Sequence, residues 1–184
     1  KDELIKEAHD NNVKMIVVPG YDYDSSKKVF ELIKEKNVFG AIGLQPEEIT
    51  KDNIEGIFNL FSLIPDNPKI VAIGEIGLDY YWNTENKDLQ KQAFIKQIEL
   101  ANKLELPIVI HSRDAFIDTI DIIKNHKVNK TGVFHCCQQN QELVKQALQL
   151  GYYISFAGPI TFKNSKNAPA IIDMVPLDKM LIET

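Results

Sequence analysis

Five polar residues stand where apolar runs stop: Gln45, Glu75, His111, His135 and Glu183. The stretch around the second, Ile70 to Trp82, reads IVAIGEIGLDYYW. Its apolar start has the look of a strand covered on both faces. Gly74 and Gly77 flank Glu75, and Asp79 follows four residues on. A carboxylate at the end of such a strand is costly to bury without a cationic partner, either a metal or a side chain. Alone, each histidine reads as an ordinary hydrogen-bonded residue. Two consecutive strands ending in His, beside one ending in Glu, instead predict a divalent-metal site at Glu75, His111 and His135. Imidazole and carboxylate together suit Zn, Mn, Fe or Mg-type ions. Such an ion can bring water close to hydroxide at neutral pH.

The elements that must position these residues alternate. Strands are predicted over 14–19, 39–44, 70–74, 107–111, 131–135, 152–156 and 179–183. Helices are predicted over 1–12 (with Leu4, Ile5 and Ala8 on one face), 27–36 (capped by Ser25 or Ser26), 54–63 and 86–104. A further helix opens at Ser112-Arg113-Asp114 and contains Phe116, Ile117, Ile120 and Ile123; others cover 141–150 and 168–174. Pro65 and Pro68 close the helix over 54–63. His9 and His126 read as helix-end residues. Strand–helix alternation implies a parallel sheet, open and doubly wound or closed as a barrel. GEIGLD does not match G-x-G-x-x-G, so a dinucleotide-binding fold has little support. A (β/α)8 TIM barrel usually needs about 250 residues and gathers its catalytic side chains at the C-terminal ends of its strands. The expectation is an α/β chain forming one such domain over residues 1–184. Lys1 falls inside a helical pattern and Thr184 directly follows a strand pattern, so the first strand and C-terminal helix are expected to lie outside it.

Composition bounds the function. The 184 residues are 44% hydrophobic and 26% charged, with net charge −5, which fits a globular domain with one core. It does not fit a basic nucleic-acid platform; a polyanionic substrate would need local positive charge. Cys136 and Cys137 are adjacent and read as reduced thiols, implying a reducing, cytoplasmic setting. No apolar run approaches the roughly 20 residues that span a bilayer.

Several runs resemble one family. Ala72 to Tyr80 (AIGEIGLDY), Pro107 to Ala115 (PIVIHSRDA) and Gly132 to Cys136 (GVFHC) look like successive signatures of the TatD-type metal-dependent deoxyribonucleases. Gly151 to Gly158 (GYYISFAG) with Thr161-Phe162-Lys163 resembles a fourth, and Leu181 to Thr184 (LIET) the start of an E-T-D motif. The resemblance spans essentially the whole chain, in order. It implies a TIM-barrel hydrolase that cleaves DNA phosphodiesters with two divalent ions, Mg, Mn or Zn. Glu75 would bridge both ions, and His111 and His135 would complete one position. The other position uses an H-x-H pair and the aspartate of E-T-D, neither of which is in this chain. At Gly43 to Glu47 (GLQPE) the family usually has G-L-H-P-H, so Gln45 replaces a histidine that faces phosphate; Gln donates a neutral hydrogen bond but cannot become cationic.

DNA is thus the expected partner, with water activated for in-line attack on phosphorus. Supporting roles are assigned to Arg113 (phosphate, with a salt bridge to Asp114 or Asp79 as its rival), Lys163 (phosphate, or a solvated surface), Asp79 (orienting a ligand, or capping a turn) and Glu183 (bracing the mouth). Two alternatives stand: a related amidohydrolase acting on amides or esters, where a carbamylated Lys would be expected in the place of Glu75, and a barrel that has lost its chemistry.

Overall fold

The structure is a computed structural model; it describes residues 2–52, 54, 61, 62, 64, 67–82, 84–137 and 140–184. The strands are β1 (Ile16–Pro19), β2 (Val38–Ile42), β3 (Ile70–Asp79), β4 (Ile108–Arg113), β5 (Val133–Phe134), β6 (Tyr153–Phe156) and β7 (Met180–Ile182). The helices are α1 (Asp2–Asp10), α2 (Tyr23–Leu32), α3 (Lys87–Leu104), α4 (Phe116–Asn125), α5 (Gln141–Gln149) and α6 (Ala168–Met174). The strands form one sheet in sequence order, each parallel to the next. A doubly wound sheet reverses its order partway along, whereas a barrel adds each strand beside the last. The unreversed order therefore settles the choice that alternation left open, in favour of the barrel. Among the described residues β1 pairs with β2 alone and β7 with β6 alone.

Ile42, Ile73, Ile76, Leu78, Ile108 and Ile110 are fully buried strand residues, packed in one cluster with Phe94 and Ile98 of α3 and Val144 of α5. Five of these six strand residues are β-branched isoleucines, which suits strands with both faces covered. The expected helix over 54–63 and the stop at Pro65 fall largely outside the described residues, though Ile54 and Phe61 are buried.

Several boundaries differ from expectation. Helix α2 starts at Tyr23 because Asp22, not Ser25 or Ser26, caps it. The Asp22 carboxylate accepts the Ser25 N–H at 2.7 Å, and the Ser25 hydroxyl accepts the Asp22 N–H at 3.0 Å, a capping box. Ser26 is buried instead. Leu4 and Ile117 are 70% and 69% exposed. In α4 the buried positions are Thr119, Ile120, Ile122 and Ile123.

The largest difference concerns the functional strands. β3 does not stop at Glu75; it continues to Asp79, and β4 continues past His111 to Arg113. Register explains this, since Gly77 pairs with His111 and Asp79 with Arg113. Gly77 has φ +143°, and a Cβ built there would lie 2.0 Å from the His111 carbonyl oxygen. Only glycine lets β3 approach β4 so closely beside Glu75. We predict that Gly77→Ala lowers unfolding free energy by about 3 kcal/mol, combining strained φ and overpacking. Urea denaturation measures this; a loss under about 1 kcal/mol would mean the backbone yields cheaply.

Candidate metal centre

Three side chains converge from within β3 and β4 and from just beyond β5. Glu75 projects from β3 and His111 from β4, while His135 directly follows β5, tied to β4 by its N–H donating to the Ile110 carbonyl at 3.0 Å. His111 Nδ1 lies 2.9 Å from His135 Nε2 and 3.3 Å from Glu75 Oε1, and His135 Nε2 also contacts Glu75 Oε1. These three atoms can serve one ion. Glu75 Oε1 is buried, and despite the two imidazole nitrogens beside it, it has no aligned hydrogen-bond partner among the described residues. A buried carboxylate oxygen close to two nitrogens but aligned with neither is what a shared cation would satisfy. The residues therefore fit a divalent metal.

Each imidazole is held from behind. His111 Nε2–H donates to Asp79 Oδ2 at 2.8 Å, and His135 Nδ1 lies 3.5 Å from Glu183 Oε2. Carboxylates behind metal-facing imidazoles set the tautomer and the ring angle. Asp79 is completely buried. Its Oδ1 accepts the N–H groups of Tyr81 and Trp82 at 2.9 and 3.1 Å, so it caps the turn and orients His111 at once. Glu183 accepts the Cys136 N–H at 2.6 Å, and Cys136 takes φ +47° there.

The electrostatics describe a site short of positive charge. Burial opposes ionisation of Glu75, yet the His111 and His135 imidazoles close beside it prevail and hold its carboxyl at about 2. Burial likewise disfavours a charged His135, but Glu183 and Glu75 push it up to about 9. His111 moves upward too: burial is overcome by Asp79 and Glu75. Protons on the imidazoles occupy the electrostatic role that a cation can fill.

The supporting residues separate. Asp79 and Glu183 touch the cluster. Gln45 sits before the turn Pro46–Glu48, its N–H donating to the Tyr21 carbonyl at 2.8 Å. The Arg113 guanidinium lies over the Tyr81 ring at 3.8 Å from its centroid, where an ion pair with Asp79 or Asp114 was the rival expectation. Lys163 is exposed on the loop before α6, and no contact among the described residues joins it to the cluster. Sequence reasoning missed three residues. Glu47 offers a carboxylate near Asp79 and His111; burial and the Asp79 charge raise its pKa. Gln90 of α3 binds both backbone groups of Asp79, at 2.9 and 3.0 Å, and Gln97 does the same for Leu44, at 2.8 and 3.1 Å. Their only signal is an amide seven residues from another on one helix face. The cysteines are free thiols.

Among solved structures, YjjV, a TatD homolog from Escherichia coli K12, superposes with a TM-score of 0.83 at 29% identity, covering 94% of this chain and 67% of that one. A TatD-family hydrolase from Entamoeba histolytica gives 0.82 at 25% identity, covering 97% and 62%. With the sheet order and the Glu/His cluster, these place the chain among TIM-barrel metal-dependent hydrolases. The metal-dependent hydrolase YabD of Bacillus subtilis is 37% identical over 188 residues, and YcfH of Escherichia coli K12 is 33% identical over 185. Both alignments take in all of this chain, and 72% and 69% of those proteins. The family model described as TatD related DNase matches residues 1–184; the chain belongs to that family. Among the described residues no helix is long and apolar enough to cross a membrane.

Replacing Asp79 by Asn tests the tautomer argument. An amide N–H facing His111 Nε2 turns that nitrogen into an acceptor and moves the proton to Nδ1, the atom that faces the site. Calorimetry should show Mn2+ bound about 10- to 100-fold more weakly. Unchanged affinity would remove Asp79 from the support of the centre.

Proposed function

We propose that this chain carries the active centre of a divalent-metal-dependent phosphodiesterase acting on DNA. The observation that carries the reading is the convergence of Glu75 Oε1, His111 Nδ1 and His135 Nε2, with a carboxylate behind each imidazole. A divalent ion held there would polarise a phosphoryl oxygen and ease deprotonation of water. Glu75, His111 and His135 would hold that ion, while Asp79 and Glu183 keep the imidazoles aimed. Water adds to phosphorus, one P–O ester bond breaks, and the products are a phosphate monoester and an alcohol.

The substrate class is supported by the family and by the cations at the mouth. Arg113 has a planar fork of donors suited to phosphate oxygens, and the ring beneath its guanidinium fixes its plane. Gln45 supplies a neutral donor, and Lys163 an outer contact for the strand. The whole enzyme would use two such ions, Mg, Mn or Zn, and Glu75 would serve as a ligand to both.

Manganese titration beside a Glu75→Ala variant tests the centre. The expected result is saturable binding of about one ion by the wild type, lost in the variant. Equal binding by both proteins would remove Glu75 from the site. The substrate reading is tested by single-stranded oligonucleotide cleavage that needs added Mn2+ or Mg2+ and stops with a chelator. Metal-dependent hydrolysis of a carboxylate ester or amide, with DNA left intact, would replace it with the amidohydrolase alternative.

A further inference from the structure

The turn that follows β3 carries two aromatic rings in the open. Tyr81 is 53% exposed and Trp82 63%. Their centroids lie 4.8 Å apart with the planes at 90°. Single exposed apolar side chains are ordinary, but these two are adjacent, in contact and joined by a cation. The Arg113 guanidinium is 3.8 Å from the Tyr81 centroid and 5.4 Å from that of Trp82. Tyr81 therefore spends its face on Arg113, while most of the indole stays open to solvent.

The position of this group is tied to the metal centre by one side chain. Asp79 Oδ1 accepts the N–H groups of Tyr81 and Trp82, and Asp79 Oδ2 accepts the His111 Nε2–H. One buried carboxylate thus sets both the aromatic turn and a candidate metal-facing imidazole. Arg113 comes from β4, two residues beyond His111. A ligand that extends from the centre to this turn would meet a cation and an exposed indole. Phosphate followed by a planar base has that alternation of charge and apolar surface, and aromatic stacking accepts any base because each has a π face. A purely apolar partner would leave the Arg113 charge uncompensated.

We infer that Trp82 is a nucleobase-stacking residue, holding the base next to the phosphate that occupies the metal centre, with Arg113 steadied by Tyr81 for the intervening phosphate. This rests on the DNA reading above, and its test uses binding alone so that the two can fail separately. Trp82 is the only tryptophan in the sequence, so indole emission reports this position. The full chain is titrated, with Mn2+ present to fill the centre, with a cleavage-resistant phosphorothioate oligothymidylate of about eight nucleotides. An abasic deoxyribose-phosphate oligomer of the same length is the control. The expected result is quenching by oligothymidylate, with the abasic oligomer bound about 10-fold more weakly. By anisotropy of a labelled oligothymidylate, Trp82→Ala should bind about 10-fold more weakly and Trp82→Phe close to wild type, with Mn2+ affinity unchanged in both. Equal binding of the two oligomers, or a Trp82→Ala variant that binds oligothymidylate like the wild type, would overturn the inference. Stacking without metal-dependent cleavage would instead overturn the DNA-hydrolysis reading and leave the stacking role in place.

Discussion

Everything at the mouth of this barrel depends on a row of alternating charges: Asp79, His111, Glu75, His135, Glu183. Each member touches the next, and the row runs from β3 through β4 and the end of β5 to the residue after β7. Ionised groups leave water only when partnered, so no member is tolerable without its neighbours. The parallel register supplies them. His111 pairs with Gly77, midway between Glu75 and Asp79, so its ring meets one carboxylate at each nitrogen. Gly77 is the condition for that arrangement, because the His111 carbonyl fills the space a side chain would need.

The row is anchored from outside the sheet by amides. Gln90 and Gln97, two turns apart on α3, are both buried, and each bonds to a backbone N–H and C=O across from it. Gln90 fixes the main chain of Asp79, and Gln97 that of Leu44, next to Gln45. Helix α3 thus holds two strand ends by their main chains as well as packing on the sheet through Phe94 and Ile98. A buried amide is acceptable only when satisfied, so these contacts tie the helix to one register.

How much of this was legible in the sequence follows from range. The seven strands and their alternation with helices showed through because apolar runs and turn residues are local signals. Glu75, His111 and His135 stood out because a polar residue interrupting a buried strand has to answer to something nearby. Their setting was less legible: Glu75 and His111 lie within their strands, since what sustains a strand past a polar residue is the neighbouring strand. Glu47, Gln90, Gln97 and the stacking of Arg113 on Tyr81 were silent, because each acts through a partner that only tertiary structure brings close. The Asp22 cap was missed for a smaller reason, a capping box closed by Ser25 in place of the usual Glu or Gln.

The acidic balance of the chain, −5 overall, looks ill suited to the polyanionic substrate proposed above, and the charge row offers a way to reconcile the two. With both imidazoles neutral, its three carboxylates leave three negative charges at the mouth. Two protons, or one divalent cation, leave one. Ion and protons are therefore equivalent in net charge, but the ion alone also offers open coordination to a phosphoryl oxygen. A phosphodiester approaching the metal-free, unprotonated centre meets repulsion that Arg113, already facing Tyr81, offsets only in part. On the proposed DNA reading, the ion that would perform the chemistry would also admit the substrate, and a strongly basic surface would be unnecessary because the positive charge is delivered at the point of reaction.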